Sequence, residues 1–439
     1  MTKLTEEFKE LGELQALLAD WARFRAETSE EGEALACWRR AVEAVKDELD
    51  HLKNMPPRPD ILKEPESYEE ILSCCPKTEA HKGLPKDFEK RLTGAFIGRL
   101  AGCVLGVPVE GWSPEAMRKL AAETGTPFPP TEYWHDVSDR YALQYEESPR
   151  WTFAKDKIDH VPADDDIMFT LLNLILMERY GVDFTTKQVA ELWLKEITIV
   201  CTAEKEALEN LKRGIAPESS AEGNPYVEWI GAAIRADAFG YVCPGKPELA
   251  ARMAFQDGYL THRRNGLYGE MFFAALIAAS FEESEPERAI GRALLQIPPQ
   301  SALAQDIRWT MDQSGQIKDP AQARKAMEER FGTMSWVHVR NNTTLILFSV
   351  LMAAGDFSKA IASAVAMGMD NDCTAATVGS IMGALYGIDR IPQDWYRCFR
   401  NRIKTFLRTE KDFRIDDIIR RFYRLAEEID RESVYGAES

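Results

Sequence analysis

Three consecutive aspartates, Asp164, Asp165 and Asp166, stand directly ahead of the apolar run 167-IMFTLLNLILM-177, and Asp370 and Asp372 stand directly ahead of 373-CTAATVGSIMGALYG-387. One or two aspartates before a helix are explained by capping and by the helix dipole. Three in a row repel one another. Taken alone, the 370–372 segment fits an N-cap as well as it fits a metal ligand. The two clusters lie about two hundred residues apart, yet each sits at the mouth of a helix patterned for burial. If those helices share one core, the mouths meet, and four or five carboxylates at one point demand hard cations between them. Oxygen-only ligands select Mg²⁺, Mn²⁺ or Ca²⁺ rather than zinc. The arrangement therefore reads as a carboxylate metal site with two ions.

The elements that must position these groups carry small residues at helical spacing. Ala375, Ala376, Gly379, Gly383 and Ala384 form a stripe along the second helix, and 91-RLTGAFIGRLAGCVLGVPVEGW-112 has glycine at 94, 98, 102 and 106. Glycine inside a helix costs about 1 kcal/mol relative to alanine, so both stripes predict close approach of another backbone. Pro108 ends the glycine-rich helix and Glu110 follows on a loop, where position alone predicts a solvated carboxylate. Period-two alternation is nearly missing, so the fold is expected to be all-α.

Residues 4–53 read as two amphipathic helices broken near Thr28-Ser29-Glu30, and the four prolines between Met55 and Pro65 read as a linker. The expected division is an appendage over 1–86 and a catalytic domain over 87–439. Residues 113–160 lack sustained periodicity and read as a long functional loop, with His135 and Asp136 at the surface beside a semi-buried Trp134. The stretch His262 to Gly269 reads as a polar, glycine-containing loop entering a buried helix, whose amides could hold phosphate or ribose hydroxyls.

Composition bounds the partners. Across 439 residues the net charge is −17, which argues against nucleic acid, since phosphate-backbone binders carry a basic face. The apolar runs 345–354 and 271–281 are too short to span a bilayer, so no membrane is expected. The N-terminus is charged and lacks the apolar run of a signal peptide. Eight scattered cysteines, without a CxxC pair or zinc-like spacing to the six histidines, predict a reduced, cytoplasmic setting.

Three blocks in order, GAFIGRLAGCVLGVPVEGW, DDDIMFTLLNLILMERYG and MGMDNDCTAATVGSIMGALYG, give the chain its resemblance to the ADP-ribosylglycohydrolases, including the dinitrogenase reductase-activating glycohydrolase type. The family's first block reads G-D-A-x-G-x-P-x-E, so Glu110 matches its glutamate while Cys103 replaces its aspartate. Its second block reads T-D-D-T, whose two aspartates align with Asp165 and Asp166 while Asp164 stands where the first threonine would. Its third, D-x-D-T-I-A-A, aligns Asp370 and Asp372 with metal ligands and puts Cys373 where threonine stands. The resemblance covers roughly residues 88–390. It implies an all-helical fold and Mg²⁺-dependent hydrolysis, with Mn²⁺ able to substitute, that releases ADP-ribose from a modified side chain or small molecule at the ribose anomeric carbon. On that reading Asp164, Asp165, Asp166, Asp370 and Asp372 hold the metals, and Glu110 with Asp165 carries the catalysis. His262, Asn265, Gly266, Tyr268 and Gly269 line the substrate pocket. A thiol is a poor magnesium ligand, so Cys373 predicts one ion held less tightly. Hydrolysis of another N- or O-glycoside, or non-catalytic ADP-ribose binding, stays open as the alternative.

Overall fold

Regular structure is almost entirely helical, as the periodicity predicts. The computed structural model describes residues 3–29, 31–59, 61–76 and 83–435, and it divides into two compact units, Met1–Lys63 and Glu64–Ser439. In the first unit, helices α1 (Lys3–Thr28) and α2 (Glu31–Lys53) form a hairpin broken where Ser29 was expected to break it. The elements of the second unit that bear on the site are α3 (Phe88–Gly106), the strands β1 (Leu143–Gln144) and β2 (Ser148–Pro149), α4 (Asp165–Tyr180), α5 (Arg264–Ser280), α6 (Asn371–Tyr386), and the strands β3 (Arg402–Lys404) and β4 (Asp412–Arg414). Each strand pair is a two-stranded antiparallel ribbon.

The glycine stripes of α3 and α6 pack directly on each other. A Cβ on Gly98 would lie 2.1 Å from the carbonyl oxygen of Gly379, and a Cβ on Gly379 would lie 2.0 Å from that of Gly98. Gly102 meets Ala375 and Gly106 meets Asn371 in the same way, so the two backbones touch along the whole of α3. The end of α3 is thereby registered against the start of α6. Residues Phe88–Val109 are long and apolar enough to cross a membrane, but 94% of their apolar eighteen-residue window is buried inside the protein, which makes this the central core helix.

The approach to α4 is pinned from both sides. Val161 donates to Arg402 O at 2.8 Å and accepts from Lys404 N at 2.9 Å, while Ala163 N donates to Ser148 Oγ at 3.0 Å. Asp164 is extended (φ −153°, ψ 151°) and caps the helix by accepting from Asp166 N. Gly181, at φ 73°, closes it.

Two expectations are corrected. The boundary between the units falls at Lys63–Glu64 rather than at 86/87, because the strap after the prolines is fastened to the second unit. Ile71 is fully buried in its core, the Tyr68 ring lies 5.0 Å from that of Phe255, and Glu64 accepts from Ala302 N at 2.8 Å. Trp134 is fully buried rather than semi-buried, its indole N–H donating to Leu105 O at 3.0 Å.

The close contact between α3 and α6 predicts a pair of opposite outcomes. Gly98→Ala must push two helix backbones apart and should destabilise the fold by about 3 kcal/mol. Gly291→Ala, in the Pro286–Leu294 helix with nothing within 4 Å of the added carbon, should stabilise it by up to about 1 kcal/mol. Denaturant midpoints of the two variants against the wild type check the pair.

Candidate metal centre

The contact between α3 and α6 brings both acidic clusters and Glu110 to one place. Carboxylate oxygens of Glu110, Asp370 and Asp372 lie within 4.8 Å of one another, and ligand atoms of Asp164, Asp166 and Cys103 do the same. Asp372 joins the two groups, since its charge acts on Asp164, Asp165, Asp166 and Glu110 alike. Asp164, Asp166 and Asp372 are buried, and Glu110 stands exposed at the mouth. Its loop is fastened by Gly111 N donating to Met369 O at 2.9 Å and by Arg150 Nη2 donating to Pro108 O at 2.9 Å.

So many carboxyl groups in one place cannot all ionise freely. Burial, above all, holds Asp164, Asp166 and Asp370 well above the ordinary carboxylate range and raises Asp372. The neighbouring Asp372 carboxylate, ahead of burial, pushes Glu110 up as well. Asp165 is raised to about 6 by burial, and its hydrogen-bonding interaction with the Tyr145 hydroxyl works against that rise.

Two guanidinium groups offset part of the charge. Arg99, fully buried on α3, donates to Asp166 O at 2.8 Å and to Thr170 Oγ1 at 2.8 Å, and pairs with Asp237 at 2.9 Å. Arg150 lowers both Glu110 and Asp372 by its charge. Neither arginine stands out in the sequence as a site residue. For Arg99 the available signal was an arginine in the middle of a glycine ridge, where a charged side chain has to find buried partners.

A hard divalent cation fits these residues. Asp372 Oδ1 is buried without a hydrogen-bond partner among the described residues, and such an atom is stable only when something positive faces it. A thiol stands among the oxygens, because Cys103 faces Asp164 with Sγ 3.3 Å from Oδ1. Burial and the surrounding carboxylates push that thiol well above its ordinary pKa, so it stays protonated and donates a hydrogen bond. Burial does the same to Cys373. Both thiols therefore leave ligation to oxygen. Asp164 is the most committed of the acids, with Oδ1 accepting from Asp166 N at 3.1 Å and Oδ2 from Gln144 at 3.3 Å.

The stretch from His262 to Gly269 is not a loop. From Arg264 onward it is the first two turns of α5, because its small and polar groups serve close packing. A Cβ on Gly266 would lie 2.2 Å from Val227 O, and one on Gly269 2.4 Å from the Val339 side chain. Asn265 donates to Glu64 at 2.7 Å and accepts from Leu303 N at 2.9 Å, and the Tyr268 hydroxyl donates to Pro65 O. His262 is fully buried beside Thr261 and is held neutral by that burial. Among the described residues none of these five side chains hydrogen-bonds to the acidic cluster. The connection runs through Thr261 and Arg235 to Glu204, which feels the Asp165 charge.

The raised carboxyl groups dictate a pH dependence. Unfolded, they ionise near pH 4; folded, Asp165 ionises near 6 and burial raises Asp164 and Asp166 well above their ordinary range, so above about pH 4 the folded state holds protons that the unfolded state has lost. With a chelator present, the melting temperature should therefore rise as pH falls from about 7.5 to 5.5. Added Mg²⁺ should stabilise most at the upper end, where it competes with fewer protons. Calorimetric melts across that range check both slopes.

The chain is similar to several known proteins. An uncharacterized protein from Archaeoglobus fulgidus is 25% identical over 318 residues, spanning 72% of this chain and 93% of that protein. A solved structure described as an ADP-ribosylglycohydrolase-related protein complex aligns with a TM-score of 0.48 at 20% identity, covering 78% of this chain and 100% of that one. The sequence profile of the ADP-ribosylglycohydrolases matches residues 84–432, from just before α3 to the last helix. With the three motif blocks gathered at one carboxylate centre inside that span, the chain belongs to the ADP-ribosylglycohydrolase family.

Proposed function

We propose that this protein is a Mg²⁺-dependent glycohydrolase that releases ADP-ribose from an ADP-ribosylated protein side chain or small molecule by hydrolysis at the ribose anomeric carbon. The observation that carries the proposal is the convergence of Glu110, Asp164, Asp165, Asp166, Asp370 and Asp372, with a buried, unpartnered oxygen on Asp372. Asp165, Asp166, Asp370 and Asp372 would hold two ions, Mn²⁺ substituting for Mg²⁺, and Asp164 adds its charge from the helix cap. Bound there, the cations would supply Lewis-acid stabilisation of the ribose hydroxyls and of a water molecule.

The protein's own groups do the rest. Glu110, exposed at the mouth and tied down through Gly111 and Arg150, takes the proton of the attacking water. A carboxyl raised above its ordinary range by a neighbouring carboxylate is a better base near neutral pH than an unperturbed one. Asp165 orients the same water. The water oxygen bonds to the anomeric carbon as the bond to the leaving atom breaks, through an oxocarbenium-like transition state; the electron pair of that bond departs with the leaving atom, which takes up a proton from solvent in place of the one Glu110 removes. The turns of α5 from Arg264 enter as the wall behind the site, their side chains engaged in packing.

The test is a release assay over arginine-, serine- and nucleobase-linked ADP-ribose, run with Mg²⁺ and with chelator, on wild type and Asp372→Ala. ADP-ribose should appear only with the cation, and the variant should lose about a hundredfold or more in rate. The variant should melt no lower than wild type in chelator, since it relieves repulsion. Release in chelator, or full activity in Asp372→Ala, contradicts the proposal. Cation-dependent cleavage of a simple nucleoside instead would favour the other glycoside class.

A further inference from the structure

Residues 144–147 form a tight hairpin turn that the sequence does not announce. Glu147 N donates to Gln144 O at 3.1 Å, and the two central residues, Tyr145 and Glu146, have φ of 48° and 58°. Both lie in the left-handed region, as a type I′ turn requires, yet neither is the glycine or asparagine that such a turn favours. Left-handed backbone at two ordinary side chains is strained and persists only when the surroundings hold it.

The surroundings here are the entrance to α4. Ser148 Oγ accepts from Ala163 N at 3.0 Å, Gln144 Nε2 donates to Asp164 Oδ2 at 3.3 Å, and Tyr145 interacts through its hydroxyl with Asp165. Two residues of the hairpin thus hydrogen-bond to consecutive residues leading into the helix, and Tyr145 acts on the next. The Tyr145 ring is stacked on Phe406, with centroids 4.6 Å apart and planes at 16°, and Glu147 pairs with Lys411. Glu146, by contrast, is exposed. A relaxed turn with glycine in place of Tyr145 would leave the Asp165 carboxylate without this partner.

We infer that the left-handed turn at Tyr145–Glu146 is maintained to hold the Asp164–Asp165 entrance of α4 in its cation-binding arrangement, with Gln144, hydrogen-bonded to Asp164, and Tyr145 beside Asp165 as positioning residues. The inference rests on the cation site proposed above. It assigns a task to a segment that the carboxylate centre alone leaves unexplained.

Mn²⁺ affinity by calorimetry and melting temperature in chelator, measured on wild type, Tyr145→Phe, Glu146→Gly and Glu146→Val, test it. Tyr145→Phe keeps the stack on Phe406 and loses the hydroxyl, so it should bind Mn²⁺ about tenfold more weakly with its melting unchanged. Glu146→Gly tolerates the left-handed backbone and should melt higher with wild-type affinity. Glu146→Val rejects that backbone and should weaken Mn²⁺ binding about tenfold, although residue 146 faces solvent. Wild-type affinity in both Tyr145→Phe and Glu146→Val overturns the inference while leaving the cation site standing. Failure of the wild type itself to bind Mn²⁺ takes down the site and this inference together.

Discussion

Direct backbone contact between α3 and α6 is the constraint on which the rest of this molecule depends. Gly98 and Gly379 each stand where a side-chain carbon would collide with the other helix's carbonyl oxygen. Glycine within a helix is unfavourable, and it is retained where no other residue permits the approach. The approach fixes register as well as distance. Gly106, the last residue of α3, lies against Asn371, the first of α6, so Glu110 on the following loop meets Asp370 and Asp372. Arg99 on the same helix reaches Asp166 at the start of α4. One helix therefore orders all three motif blocks.

The centre that results is electrostatically costly without a cation. Burial raises every aspartate in it, and Arg99 and Arg150 offset only part of the charge. Such a site opposes folding at neutral pH, and the apolar packing of the long core helices has to outweigh it. On the proposed reading the same unbalanced charge would give a hard divalent ion its affinity, and stability and cation binding would be linked through one group of residues. Cys103 and Cys373 belong to that balance. As protonated thiols they occupy positions next to the carboxylates without adding further negative charge.

The acidic pairs ahead of apolar helices and the two small-residue stripes were legible in the sequence, because each violates a local preference that only close packing or a cation explains. The all-helical fold followed from the same periodicity. Arg99 was not legible as a site residue, since an arginine on a helix is ordinarily solvated and only the tertiary contact buries it. The hairpin around Tyr145 was invisible because its strands are two residues long and its turn lacks glycine. Residues 262–269 misled for the opposite reason: Gly266 and Gly269 resemble a ligand loop but accommodate Val227 and Val339. The prolines between Met55 and Pro65 read as a linker, whereas Glu64 and Pro65 at its end and Ile71 beyond it are bound to the core of the second unit.

A double-mutant cycle on Mn²⁺ affinity decides whether the two clusters, distant in sequence, form one cation site. Asp165→Asn, Asp372→Asn and the double variant would be titrated calorimetrically beside the wild type. If the carboxylates share their ions, the losses are strongly non-additive, each single substitution removing most of the affinity and the second adding little. Additive losses, or Mn²⁺ affinity untouched by one of the two substitutions, would show two independent acidic patches and contradict the account.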